Sequence, residues 1–403
     1  MTLSVLERTH GRELSGKAAV AAVAALIGVM FAGSTLLTPL YIIYKNKFGF
    51  SGVTLTLIYA IYVVGNLAAL LIFGRLSDQI GRRRAALPAL AVAALSTLIF
   101  LFANNTALLY WARALSGLGI GVAAGSGVAW ISELVHEDDK ARATMIATST
   151  NFLGLGIGPL VSGLLAQYAP WPLHLSYIVY LAAVAVVAVL IWHTPETVAH
   201  PVHSLSKISL RPRVGVPRKI RLEFVAPAVT GFGAMALVGY FAALAPTILA
   251  QELHQTNHAA AGALVFELAI VCAVTIVVTH RLSSSIAMLW ALGLMIPSVA
   301  MLVAAQVFAS LALIIAATVL CGVSAGLGYR RGLQVVNQIA PQDRRAEVVS
   351  SFFICCFIGN AVPVIGVGVI TAYSNMTLAS AIFAGMIAIF AVVAFIFGVR
   401  NAK

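Results

Sequence analysis

The sequence predicts an all-α membrane protein, with twelve transmembrane helices arranged as two six-helix bundles, and three observations carry that prediction. Hydrophobic residues make up 61% of the 403 and charged ones only 9%, too few to cover a water-facing surface all round. The building unit is therefore a run of ~20 apolar residues, which crosses the ~30 Å hydrocarbon core of a bilayer. Lysine and arginine number 25 and, except for Lys45, Lys47 and Arg113, fall on one side if the chain starts inside and crosses twelve times. That is the bias that holds basic loops in the cytoplasm, so the net charge of +12 calls for no nucleic acid. The third observation is a repeat. At a fixed offset of 205, Gly117 pairs with Gly322, Gly121 with Gly326, Gly154 with Gly359, Gly163 with Gly368, Asp138 with Asp343 and Lys140 with Arg345. An offset near half the length means two like-built bundles of six spans, a parallel repeat.

In order, span one covers residues 18–44 and is interrupted by Pro39, and span two covers 52–73. Spans three to six are placed at 85–103, 108–134, 141–168 and 174–192. Residues 194–222 hold Pro195, Pro201, Pro212 and Pro217 with six basic residues, a composition that suits a cytoplasmic linker between bundles. Spans seven to twelve follow at 223–250, 258–279, 286–304, 311–338, 346–371 and 378–399. The domains are thus residues 1–193, an N-terminal bundle; 194–222, the linker; and 223–403, a C-terminal bundle. An even count puts both termini in the cytoplasm. A polar start running straight into a full-length span predicts retention in a membrane, most simply a bacterial inner membrane. Cys272, Cys321, Cys355 and Cys356 lie in apolar runs and read as small buried residues, not as a metal or disulfide framework. Histidines lack metal-ligand spacing and no phosphate-binding loop is present, so neither metal, cofactor nor ATP is expected.

Between spans two and three lies GRLSDQIGRRRAAL, residues 74–87. Its arginines cannot sit in hydrocarbon unaided, since a charge at mid-bilayer costs at least ~2.5–3.5 kcal/mol. The stretch must be a tight surface loop, with Gly74 and Gly81 letting one helix stop and the next begin. It resembles the loop signature of the major facilitator superfamily through Gly74, Leu76, Asp78, Gly81, Arg82, Arg83 and Leu87, with Ser77 and Gln79 departing from it. Two further stretches are similar to superfamily signatures: Arg113 with Gly117, Gly119 and Gly121 in span four, and Gly154, Gly158, Pro159 and Gly163 in span five, the latter associated with antiporters.

The resemblance implies a substrate site between the bundles and a cytoplasmic latch. In that latch Asp78 caps the N-terminus of span eleven, and the loop arginines bind an acid at the inner end of span four, here Glu133. It assigns Arg113 to proton transfer. On physical grounds Arg113 either snorkels to the outer headgroups or faces the cavity, favouring a nearby ionised acid or an anionic substrate. Depth alone singles out Glu267, mid-way along span eight, as the proton-coupling carboxyl; the alternative is a structural glutamate. Asn66, Asn151, Tyr240 and Asn360 could line a cavity or bridge helices. Tyr41, Tyr44 and Tyr110 lie where an interfacial aromatic belt is expected, and Arg330 and Arg331 where side chains snorkel.

Taken together, these readings predict a monomeric, proton-coupled secondary transporter that is not an enzyme, resembling the drug:proton antiporter branch and exporting small amphipathic compounds. The alternatives are a proton-symport importer of a small organic acid or other metabolite, and a transport-inactive membrane sensor or scaffold.

Overall fold

The structure, a computed structural model, describes residues 13–74, 76–135, 139–199, 201–202 and 214–401. Arg8, Arg12, Arg75, Asp138 and the middle of the linker, with Lys207 and Pro212, lie outside the described residues.

Among the described residues, twelve helices are long and apolar enough to cross a membrane. In the first half these are α1 (Gly16–Thr35), α3 (Gly52–Phe73), α5 (Arg82–Leu101), α6 (Thr106–Leu134), α7 (Lys140–Tyr168) and α8 (Leu175–Trp192). Two short helices, α2 (Tyr41–Phe48) and α4 (Leu76–Ile80), sit between them. The second half holds α9 (Arg221–Gln251), α10 (His258–Val278), α11 (Ser284–Val307), α12 (Leu311–Ile339), α13 (Arg345–Tyr373) and α14 (Met376–Asn401). Several helices start earlier than the apolar runs do. Arg82, Arg221 and Arg345 open α5, α9 and α13: Arg221 and Arg345 are exposed and can reach water, while Arg82 is buried against acids.

Span one is two helices, not one. A proline ring clashes with the carbonyl four residues back in a continuing helix, and α1 indeed ends at Thr35, four residues before Pro39. The freed Thr35 carbonyl accepts from the Thr38 amide at 2.9 Å. Prolines 88, 159, 227, 246, 297 and 363 instead lie within unbroken helices, which is tolerated where neighbouring helices can satisfy the freed groups.

The repeat is a packing repeat. In the first half the backbone of α1 at Gly28 lies where a side chain on Gly154 of α7 would go; in the second, the backbone of α9 at Phe232 lies where one on Gly359 of α13 would go. The two halves meet through equivalent crossings. Gly163 of α7 packs on Ala259 and Gly262 of α10, and Gly368 of α13 packs on Thr56 of α3. Small residues allow this approach because helices in lipid associate by close packing. Cys272, Cys321 and Cys356 are buried and Cys355 half-buried, all four as free thiols.

Candidate functional site

Between the halves lies a cavity of about 450 Å³. Its walls come from α1, α3, α6 and α7 on one side and α12 and α13 on the other. Ser132 and Thr144 line it, next to Glu133 and one turn into α7, so it reaches the face that carries the basic loops. Asn66, Asn151, Phe31, Tyr329, Phe353 and Phe357 line both this cavity and a smaller space of about 50 Å³ at its far end. Tyr59, Tyr62 and Asn360 close that end. The lining residues of both spaces include no Asp, Glu, Lys, Arg or His. It is an aromatic and amide surface, the kind that takes amphipathic ligands by shape with few polar contacts.

Beyond the far end the halves are pinned together. Tyr59 and Tyr62 of α3 both donate to Oδ1 of Asn360 on α13, each at 2.9 Å, and Asn360 Nδ2 donates to the Met235 carbonyl of α9 at 3.2 Å. Thr38, in the break after α1, donates to the Ala242 carbonyl at 2.6 Å. Past these pins a crevice of about 330 Å³ opens on the opposite face, lined among others by Lys45, Gln251, Glu252 and Asn375. Asn360 is thus both a cavity wall and a bridge.

Behind Tyr59 and Tyr62 sits Arg113, fully buried. It neither snorkels nor lines the cavity. One Nη donates to the carbonyl of Ser34, left without a helical partner by the end of α1, and the other to the Tyr41 hydroxyl at 2.6 Å. Its guanidinium carbon lies 5.7, 5.8 and 5.4 Å from the ring centres of Tyr41, Tyr59 and Tyr62, within cation–π range. Among the described residues no carboxylate pairs with it, and its Nε has no partner. Tyr59 and Tyr62 went unread in the sequence, although they stand three apart, on one face of a helix. Tyr41 and Tyr44 are fully buried and so form no interfacial belt.

At the basic face Arg82 is the centre of a knot. Its fork donates to Glu133 from Nη2 at 2.6 Å and Nε at 3.1 Å, and its Nη1 donates to Ser77 Oγ at 2.7 Å and to Asp78. Ser77, a departure from the superfamily pattern, is therefore a ligand of the arginine. Glu196, just after α8, was missed: its carboxylate accepts the Arg82 and Arg83 amides at 2.8 and 3.0 Å, capping α5 where a negative charge is favoured. Its signal was an acid in a Thr-Pro-Glu-Thr turn directly after a span. Gly81 has φ of 108° and Glu196 in the place of its missing side chain, so no other residue fits there without strain; Gly74 has a helical backbone conformation, with the Leu70 carbonyl where a side chain would go. Arg83 donates to the Trp192 carbonyl at 3.2 Å. Asp78 rests on Arg82, not on the first turn of α13, and its side chain is 53% exposed. The cavity separates the halves on this face, which leaves the first turn of α13 without that cap.

In α7, Gly154 and Gly158 pack on the α1 backbone at Gly28 and Ala32, while Gly163 packs on α10 and the Pro159 carbonyl meets Gly262. The proline-glycine stretch is therefore a two-sided helix contact. Glu267 is not with these groups. It is half-buried on a stripe of α10 with exposed Ala263, Val274 and Val278, faces away from the cavities, and makes no hydrogen bond or ion pair among the described residues. Tyr240 also lies elsewhere: it is buried within the second half, bonded to Ser380 at 2.5 Å and to Gln306 at 3.1 Å. Arg330 and Arg331 do not snorkel. They are buried and donate to the Ile276 and Thr279 carbonyls at the end of α10.

The family model described as Major Facilitator Superfamily matches residues 23–364. The chloramphenicol resistance protein CraA of Acinetobacter baumannii is 25% identical over 163 residues, 40% of this chain and 38% of that protein. The bacillibactin exporter of Bacillus subtilis is 29% identical over 147 residues, 35% of this chain and 37% of that protein. The chain thus spans about two-fifths of these relatives' lengths. A solved bacterial homolog of the human lysosomal transporter Spinster, in an inward-facing and unoccupied conformation, overlays with a TM-score of 0.69 over 95% of this chain and 97% of that one. At 14% identity the likeness is one of fold.

Proposed function

The chain belongs to the Major Facilitator Superfamily, and from that premise we propose that it is a secondary transporter exporting small amphipathic compounds in exchange for protons. The observation that carries this is the cavity of about 450 Å³, aromatic and uncharged, set between two halves that cross through glycines. Such a surface accepts varied apolar bodies, and the exporters among the relatives favour outward movement. The basic face is the cytoplasmic one of a bacterial inner membrane, so the cavity opens inward. When the halves rock the other way, Asp78 leaves Arg82 for the first turn of α13 and Tyr59 and Tyr62 part from Asn360.

Protons enter the reading through Glu267. Ionised, it is costly against hydrocarbon; protonated, it is cheap. Its helix, α10, is half of the α7–α10 crossing, so its charge state biases movements that change its exposure. Purified protein in liposomes with an imposed pH gradient tests both parts, with chloramphenicol as an uncharged amphipathic probe. Gradient-driven accumulation is expected, and Glu267→Gln should lose it while keeping probe-for-probe exchange. Accumulation indifferent to the gradient removes the proton; an unaltered Glu267→Gln removes that residue.

A second reading, import of a small organic acid with protons, is favoured by one observation: the charge nearest the cavity's far end is the cation of Arg113.

A further inference from the structure

We propose that the far end of the central cavity is a receptor for the acidic head of an amphipathic aromatic compound, a carboxylate foremost, and that Arg113 sets this charge preference. The proposal rests on the reading of that cavity as the transport site.

Two phenol hydroxyls, of Tyr59 and Tyr62, converge on one acceptor oxygen, Asn360 Oδ1, at 2.9 Å each. Paired donors on a single oxygen are the arrangement that an oxyanion or a carbonyl requires. The acceptor now in place is an amide of the protein itself, so Asn360 occupies the position that a ligand oxygen would take. Directly behind the two rings lies the Arg113 guanidinium, 5.4 Å from the Tyr62 ring centre and 5.8 Å from that of Tyr59. It is fully buried and has no carboxylate partner among the described residues. A buried, uncompensated cation polarises the hydroxyl groups bonded in front of it and projects a positive potential into the space beyond. Nothing opposes that potential, because the cavity lining holds no acid.

The same oxygen joins the two halves. A ligand head that takes the two hydroxyls displaces Asn360 and with it the α3–α13 hydrogen bonds, leaving the Thr38–Ala242 bond as the remaining pin of the closed end. The apolar body lies on Phe31, Tyr329, Phe353 and Phe357, which continue from this end into the larger cavity.

Three compounds that share an indole ring separate head chemistry from body: indole-3-acetate, indole-3-acetamide and tryptamine, titrated calorimetrically into the protein in lipid nanodiscs. At about 10 Å and the effective dielectric of a protein interior, one unit of head charge changes Kd about tenfold. The expected order is acetate tightest, acetamide about tenfold weaker and tryptamine weakest. Arg113→Gln should bring acetate to the acetamide level, while Arg113→Lys keeps the order. Because Arg113 also holds the end of α1, Arg113→Gln could fail to fold; the wild-type order and the double change Tyr59→Phe with Tyr62→Phe carry the test without it. That double change should weaken acetate and acetamide together and leave tryptamine as it was. Asn360→Ala, which removes the internal competitor, should tighten acetate. Tryptamine binding as tightly as acetate overturns the receptor while leaving the cavity as a transport site. Failure of all three to bind at millimolar concentration overturns both.

Discussion

The two halves hold their basic-face ends together by different means. In the first half a buried arginine, Arg82, is tied to carboxylates: Glu133 by a two-pronged fork and Asp78 beside it, with Glu196 capping the same helix. In the second half, buried Arg330 and Arg331 are tied to the main-chain carbonyls of Ile276 and Thr279 at the end of α10. The repeat that preserves the glycines does not preserve these ties: at the offset of 205, Arg82 meets Ala287 and Glu133 meets Gln338. A carboxylate on a mobile side chain can change partners, whereas a carbonyl at a helix end cannot leave. The first tie is therefore the exchangeable one and the second is fixed.

The comparison breaks most readily at Glu133. Glu133→Ala leaves Arg82, whose side chain is 7% exposed, short of its main acceptor. It should lower stability by about 2–3 kcal/mol, read as a drop in thermal midpoint in detergent; an unchanged midpoint would mean that Asp78 and Ser77 suffice. Glu196→Ala uncaps α5 and should lose about 1–2 kcal/mol, measured the same way, with amide exchange quickening at residues 82 and 83. Arg331→Met keeps the apolar stem and removes the cation from a helix end, for a loss of about 1 kcal/mol. In transport assays it should leave the ratio of inward to outward cysteine accessibility unaltered, since a fixed tie has no second state; a shift in that ratio would erase the distinction between the halves. Asp78→Asn should be the mildest in stability, within about 0.5 kcal/mol because the pair is half in water. Yet it should move the accessibility ratio towards the basic face, as an exchangeable partner must.

Much of this was legible. Spans are readable because ~20 apolar residues in succession have few other uses, and the Arg82–Glu133 pair was implied by the resemblance of the loop to the superfamily signature. The turn at Pro39 was visible as an interruption but not as two helices. What the sequence withheld was facing. A membrane helix is apolar on the side against lipid and on the side against its neighbours, so the pattern that reveals the inner face of a helix in water is missing. Glu267 lies near the middle of α10 and yet points outward, Tyr240 lies inside its own half, and Arg113 takes neither of its two expected places but lies behind the cavity wall. Glu196 escaped for another reason: its turn after span six was visible, but the partners of its carboxylate are main-chain amides of a helix more than a hundred residues away.

One more consequence follows from the glycines where the halves cross. At α7–α10, around Gly163 and Gly262, the contact is main chain against main chain, and at α3–α13 the main chain of Gly368 lies against the short side chain of Thr56. In the rocking motion proposed above, such points act as fulcrums: the arms on either side travel in opposite senses, and widening one mouth narrows the other. A continuous leak through the membrane would require both fulcrums to separate together, at the loss of the closest packing in the molecule. On the proposed transport cycle, the geometry that lets cargo through one compound at a time is thereby the same geometry that keeps ions from following it.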